Sequence, residues 1–261
     1  MKSTFEQKRN RLFLVLAGIF LTNALVAEMI GVKIFSAEQT VGLSPAHLNI
    51  LGFTMDFNLT AGVIIWPVVF ITSDLINEYF GKPGVKRISF LTAALIAYAF
   101  VVIFTTMSLP PAQWWLDANN VDTKGNAFDM NFAFNKIFGQ GQRIIIGSLA
   151  AFLIGQLLDV FLFHQLRKVT GKKYLWLRAT GSTLGSQLID SFVVLFIAFY
   201  NVFPTKQIVA IGITNYIYKF AIAIALTPLL YLGHYLIDQY LGKDKADSMA
   251  EQAANKSEGF L

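Results

Sequence analysis

Gly185-Ser186-Gln187-Leu188-Ile189-Asp190 sits inside an apolar run from Ala179 to Phe203. A membrane-crossing helix takes roughly 20 residues, so the run can span a hydrocarbon core and its amide and carboxylate lie at membrane depth. On a helix Gln187 and Asp190 stand three apart and share a face. The same device recurs one apolar run earlier, as Gln156-Leu157-Leu158-Asp159. An Asp at the centre of a membrane helix costs about 2.5–3.5 kcal/mol on insertion scales. Two neighbouring spans that each carry Gln-x-x-Asp therefore point to a shared polar interior, read here as a substrate site.

The rest of the chain has the same character. Of 261 residues 55% are hydrophobic and only 14% charged, with a mean hydropathy of +0.54. The apolar residues come in runs of roughly twenty, which excludes an ordinary soluble domain and gives an all-α membrane protein of one domain. Six transmembrane helices are expected, at about 12–35, 58–80, 87–108, 142–166, 179–203 and 207–240. Residues 1–242 then form the transmembrane domain, and 243–261 a polar, disordered cytoplasmic tail. The first run is too long for a cleaved signal segment and reads as a permanent span. With no cysteine in the chain, disulfides and thiolate metal sites are excluded.

A net charge of +5 would suggest nucleic acid in a soluble protein. Here the basic residues fall in short loops between apolar runs, so orientation and anionic headgroups explain them and no nucleic-acid partner is expected. The loop at 81–87 carries Lys82, Lys86 and Arg87, and that at 167–178 carries Arg167, Lys168, Lys172, Lys173 and Arg178. With Lys2, Lys8, Arg9, Arg11, Lys243 and Lys245 these share one side, against Lys124, Lys136 and Lys206 on the other. The positive-inside rule then puts both termini in the cytoplasm of a multi-pass protein.

The two long outer segments carry structure of their own. In 36–57, Ser44-Pro45 reads as a helix start, with Ser as cap and Pro in the first turn. In 109–140, Trp114-Trp115 suits an interface anchor, and Phe128, Phe132 and Phe138 recur as on a helix lying along the membrane. Gly147, Ala151 and Gly155 on the fourth span, and Gly181 and Gly185 on the fifth, predict close packing of those two helices. Pro67 and Pro228 are expected to kink the second and sixth spans.

The polar residues within the spans carry the functional reading. Asp74, Asn77 and Glu78 form one stripe on the second span. Glu78 lies within a turn of the cytoplasmic edge, where a pair with Lys82 or Arg87 explains it as well as gating or proton coupling does. On the first span Asn23 can supply a hydrogen-bonding wall, while Glu28 either pairs with Lys33 or meets a ligand, and is, like Glu78, a candidate for gating or proton coupling. On the sixth, Asn215 and Lys219 share a face, and a Lys so deep needs Asp190, Asp159 or Glu28. Arg143 opens the fourth span as an interface anchor or a gating group. Facing lipid, Asp74, Asp159, Asp190 and Lys219 together would cost on the order of 10–14 kcal/mol, which rivals the whole stability of a protein, about 5–15 kcal/mol. They face inward, either around a ligand or as a structural ion-pair cluster. The substrate-binding set read from the sequence is thus Asn23, Asp74, Gln156, Asp159, Gln187, Asp190, Asn215 and Lys219. No cofactor is expected. His47, His164 and His234 stand apart without zinc-ligand spacing, there is no Walker loop, and no catalytic constellation appears.

Ser73-Asp74-Leu75-Ile76-Asn77-Glu78-Tyr79-Phe80-Gly81 resembles the signature of the queuosine precursor transporter family, also called the vitamin uptake transporter family. So do Arg143 to Asp159, with Ser148 and Gln156-x-x-Asp159, and Arg178 to Asp190, with Ser182-Thr183 and Gln187-x-x-Asp190; Asn23 fits as well. The resemblance runs from about Leu12 to Leu241, and the outer loop 109–140 is longer than it implies. It implies six helices in a fold similar to the substrate-binding subunits of energy-coupling-factor importers. It also implies uptake of 7-cyano-7-deazaguanine or 7-aminomethyl-7-deazaguanine, with queuine a further candidate, across a bacterial inner membrane.

The polar set is compatible with such a ring. A carboxylate, Asp190 or Asp159, accepts from N1–H and the exocyclic amine, while Gln187, Gln156 and Asn23 serve the acceptors and Phe192, Phe196 or Tyr216 stacks on the ring. A self-sufficient carrier is the leading reading, and a homodimer is compatible with it. The alternatives are a binding subunit that needs a separate ATP-driven module, and a membrane enzyme acting on a nucleotide or lipid.

Overall fold

Backbone N–H and C=O groups in hydrocarbon have only each other as partners, and the apolar runs accordingly wind into helices. The computed structural model describes residues 4–139, 141–171 and 174–258; Lys2, Lys172 and Lys173, counted above among the basic residues of one side, lie outside the described residues. Helix α1 (Thr4–Ile30) starts well before its apolar stretch, and buries Leu12, Leu16, Phe20, Ala24 and Ala27 on one stripe against α3.

The first outer segment is built of short extended pieces. Strand β1 (Ile34–Ser36), helix α2 (Ala37–Thr40), and strands β2 (Leu48–Ile50), β3 (Phe53–Met55) and β4 (Asn58–Thr60) follow. β1 pairs antiparallel with β4, and β2 with β3. The helix start expected at Ser44-Pro45 does not form. Ser36 is the capping residue instead, its hydroxyl accepting from the Gln39 N–H, and His47 at φ 46° donates its N–H to Asp56 Oδ1 at 2.8 Å, which commits that stretch to a hairpin. A short 3-10 turn, Ala61–Ile64, leads on.

Helix α3 (Trp66–Met107) carries two of the expected spans in 42 residues, with a break at Gly81, whose φ of 68° and ψ of −175° are non-helical. That backbone region is essentially closed to residues with a side chain. Pro67 does not kink α3. It lies in the first turn, where the missing N–H has no intrahelical partner to lose. The outer loop then forms α4 (Gln113–Ala118) and α5 (Met130–Phe138), the latter capped by Asp129.

Four helices complete the chain before the tail: α6 (Gln142–Thr170), α7 (Leu175–Phe199), α8 (Thr205–Ala225) and α9 (Thr227–Leu241). The sixth expected span thus divides at Leu226, and Pro228 opens α9 rather than bending one continuous helix. The tail expected to be disordered is helical as α10 (Lys243–Glu258). Its Ala246, Met249, Ala250 and Ala253 recur at three- and four-residue spacing and are buried, with α10 packed on α3.

Among the described residues five helical segments are long and apolar enough to cross a membrane: α1, α3, α7, α8 and the segment that holds α6. Their outward faces are apolar, as at Leu14, Val101 and Ile146, each more than 60% exposed. Where the outside is hydrocarbon, helices associate through close packing and polar contacts rather than water exclusion. The small-residue faces serve that end. α6 and α7 make the most extensive helix–helix contact among the described residues. A Cβ on Gly147 would lie 3.2 Å from the Val194 carbonyl oxygen, and one on Gly155 would lie 3.5 Å from Asp190 Cβ.

Candidate functional site

The polar stripes of α3, α6 and α7 face one another, and their contacts rise in layers along the bundle. At the Arg167 end of α6, Glu78 lies between two guanidiniums: Arg178 Nη2 donates to Oε1 at 2.8 Å, and Arg178 Nε and Arg167 Nη1 donate to Oε2 at 3.1 and 3.2 Å. Arg167 also donates to the Ala250 carbonyl of α10 at 2.9 Å, and Arg178 to that of Gly171 at 3.0 Å. For Glu78 the partners expected from its own helix end, Lys82 or Arg87, give way to two arginines that the sequence places far away. His234 and Asp238, which share a face of α9, both meet the Tyr79 hydroxyl, at 2.9 and 3.0 Å.

The middle layer is built around the Gln156-x-x-Asp159 motif. Asp159 Oδ1 accepts from Ser182 at 2.9 Å, Ser186 at 3.3 Å and Thr183 at 3.4 Å. These hydroxyls stand at i, i+1 and i+4 on α7, so a single helix face presents them together. Gln156 Oε1 accepts from Ser73 Oγ at 2.9 Å, and Asn77 Oδ1 meets His164 Nε2 at 3.0 Å. Asp74 is 6% exposed and lies within electrostatic range of Asp159 and Glu78.

Toward the Arg143 end, Lys219 Nζ donates to Asp190 Oδ2 at 2.5 Å, joining α8 to α7. Asp190 is thus the carboxylate that the buried lysine requires. Glu28 Oε1 accepts from Ser148 Oγ at 2.5 Å and lies within electrostatic range of Asp190; this hydroxyl contact replaces the expected pair with Lys33. Asn23 Nδ2 donates to the Ile19 carbonyl of its own helix at 2.8 Å. Asn215 is half-buried one turn from Lys219. Arg143 is exposed and donates to the Tyr200 carbonyl at the end of α7 at 2.9 Å, the contact of an anchor. Tyr216 donates to the Leu184 carbonyl at 3.2 Å, and the Phe192 ring lies so close to Gly212 that a Cβ there would come within 2.5 Å of it.

Four buried polar atoms in these layers have no hydrogen-bond partner among the described residues: Asp74 Oδ1, Asn77 Nδ2, Gln187 Oε1 and, beside Tyr79, His234 Nε2. A buried polar group left unpaired costs about 1–3 kcal/mol, so such a set suits a guest that supplies the missing donors and acceptors. Acceptor and donor atoms together, on rigid helices, can engage a small polar ring. Among the described residues no cluster of His, Cys, Asp and Glu could hold a metal ion.

The polar set read from the sequence therefore divides. Asp74, Gln156, Asp159 and Gln187 belong to the buried middle, and Asp190, Lys219 and Glu28 to a second group nearer Arg143. Asn23 bonds within its own helix. Sequence reasoning missed Arg167 and Arg178, counted only as loop charge, and His164, weighed only as a zinc ligand. A guanidinium at the end of an apolar run, on the same helix face as a Gln-x-x-Asp pair, is the signal that could have found Arg167, eleven residues after Gln156.

Comparisons with known proteins bear on this arrangement. The sequence model of a family described as "Putative vitamin uptake transporter" matches residues 60–233. A Bacillus subtilis protein named "Probable queuosine precursor transporter" is 28% identical over 195 residues, covering 74% of this chain and 80% of the relative. One of the same name from Haemophilus influenzae is 29% identical over 187 residues, covering 69% and 70%. The Escherichia coli K12 protein named "Queuosine precursor transporter" is 29% identical over 215 residues, covering 79% and 85%. No solved structure matches the chain.

Proposed function

The chain belongs to the vitamin uptake transporter family, and on that premise we propose that it imports queuosine precursors, 7-deazaguanines, across a bacterial inner membrane. It does so as a self-sufficient carrier with six spans, α3 contributing two on either side of Gly81 and α8 with α9 the last, and with both termini in the cytoplasm. The names of three relatives support the substrate class. The observation that carries the site is the set of unpartnered buried atoms on Asp74, Asn77 and Gln187, Asp74 lying within electrostatic range of Asp159.

A 7-deazaguanine presents N1–H and an exocyclic amine as adjacent donors, with O6 as acceptor. On this reading Asp159 and Asp74 accept from the donor edge, since Asp190 already holds Lys219. Asn77 Nδ2 supplies a donor for O6, and Gln187 Oε1 a further acceptor. A hydrogen bond to a charged group contributes about 1.5–3 kcal/mol, so loss of one lowers affinity roughly ten- to hundredfold.

The test is a thermal-shift titration of purified protein with 7-cyano-7-deazaguanine, 7-aminomethyl-7-deazaguanine, guanine and biotin. The deazaguanines raise the melting midpoint, and Asp159→Asn and Gln187→Ala each weaken that effect at least tenfold. If both variants titrate like the parent the site assignment fails; if no deazaguanine stabilises the parent the substrate class fails. Uptake into liposomes that contain this chain alone distinguishes a carrier from a subunit that requires an ATP-driven module.

A further inference from the structure

Where α1, the Gly81 break of α3 and α10 meet, the protein has an open pocket of about 540 Å³. Arg9 of α1 and Arg87 of α3 both line it, together with Asn10, Gln252 and the apolar Phe13 and Phe80. The two phenyl rings pack at 4.9 Å between centroids. Neighbouring basic groups are engaged: Lys8 Nζ donates to the Tyr240 carbonyl at 2.9 Å, Lys245 lies over the Phe5 ring, and Arg167 is bound to Glu78 and Ala250. Arg9 and Arg87 make no hydrogen bond or ion pair among the described residues. Glu6 and Glu251, the acids nearest along the chain, do not line the pocket.

We propose that this pocket is a binding site for a phosphate-bearing anion, the headgroup of an anionic phospholipid or a soluble phosphate. A guanidinium offers a planar fork of donors that matches a phosphate, and two lining one pocket from different helices can share its oxygens. The volume admits a headgroup, the Phe13–Phe80 pair accepts the apolar part next to it, and the amides of Asn10 and Gln252 can meet glycerol or ester oxygens. The site lies at the basic end of the bundle, where anionic headgroups concentrate under the topology proposed above. Of the polar layers it shares only Tyr79, and it shares no residue with the middle layer around Asp159, so its test stands apart from that of the transported substrate. Because α10 forms one wall, the occupied site ties the tail to the helix break.

The experiment uses the full chain purified in detergent, with native mass spectrometry for retained lipid and a melting curve for stabilisation. The probes are phosphatidylglycerol, phosphatidylcholine and inorganic phosphate, tested against the parent, Arg9→Gln/Arg87→Gln and a Lys124→Gln control in the outer loop. Phosphatidylglycerol is retained and raises the melting midpoint, phosphatidylcholine does neither, and the double Gln variant loses at least fivefold in retention while Lys124→Gln does not. Competition by millimolar inorganic phosphate assigns the site to soluble phosphate, and its failure to compete assigns it to lipid. Should the double variant melt early without any probe, the Arg9→Lys/Arg87→Lys pair, which keeps charge but loses the fork, takes its place and gives intermediate retention. The proposal is overturned if neither anion binds the parent, or if the arginine variants bind phosphatidylglycerol as the parent does.

Discussion

Glu78 shows what a single residue does in this protein. Its carboxylate is 6% exposed and answers two arginines whose side chains are 10% and 5% exposed. Charges so placed hold three helices and the tail together only while the pairing is complete, because removal of one partner strands the others in a poor solvent at a cost of about 3–5 kcal/mol. Glu78→Gln is therefore predicted to lower the melting midpoint in detergent by several degrees, and Glu78→Leu/Arg178→Met to lower it less than Glu78→Gln alone. A double variant at least as damaged as Glu78→Gln would show that the pairing is not what Glu78 supplies. At this scale the sequence is half legible. A carboxylate in an apolar run announces an inward face, as at Asp159 and Asp190, since lipid excludes the alternative. The partner is another matter: Arg178 lies 100 positions from Glu78, and no local spacing encodes which turn of which helix will meet it. Lys219 was narrowed to three candidate carboxylates by cost alone, and only packing selects Asp190.

Elements were readable where one force dominates and misread where two compete. The apolar runs gave helices because backbone hydrogen bonding leaves no other choice in hydrocarbon. Pro67 and Pro228 were both assigned to helix interiors, yet each lies in a first turn, where proline's missing N–H is harmless. Helix boundaries near a membrane surface depend on the fold around them. The tail was read from its polarity, and its buried stripe of Ala246, Met249, Ala250 and Ala253 was too weakly apolar to stand out. In the first outer segment the organising group is Glu38. It receives the N–H groups of Phe57 at 2.7 Å and Ala46 at 3.3 Å and the Ser36 hydroxyl at 2.9 Å. These bonds, that from Phe57 foremost, hold its pKa below the ordinary value of 4.5. A carboxylate depressed in the folded state adds stability that is present above its unfolded pKa and lost as pH falls through the folded one. Hydrogen exchange of the 36–60 backbone should thus accelerate, beyond the intrinsic pH effect, on acidification below about pH 4.5. Glu38→Gln should exchange faster at neutral pH and lose that acid-dependent increment; an unchanged acid response in the variant would remove Glu38 from the role.

For the whole molecule the governing quantity is length against membrane thickness. As one straight rod the 42 residues of α3 would reach about 63 Å at 1.5 Å per residue, twice a hydrocarbon core of about 30 Å. A single crossing would also bury Lys82, Lys86 and Arg87 near its middle, at about 2.5–3.5 kcal/mol each. The non-helical Gly81 lies immediately before those three charges, so the break and the basic residues together argue that the chain reaches the surface there and re-enters. On the six-span proposal, the five long apolar helices among the described residues make six crossings, an even number that returns both termini to one side. The absence of cysteine makes this directly measurable, because every introduced thiol is the only one. Lys124→Cys and Lys206→Cys are predicted to react with a membrane-impermeant maleimide in intact cells, and Lys86→Cys and Asp244→Cys only after permeabilisation. All four positions are exposed, so failure to react reports the side of the membrane rather than burial. If α3 crossed only once, Lys86 and Asp244 would no longer label together, and reaction of Asp244→Cys in intact cells would sink the six-span arrangement.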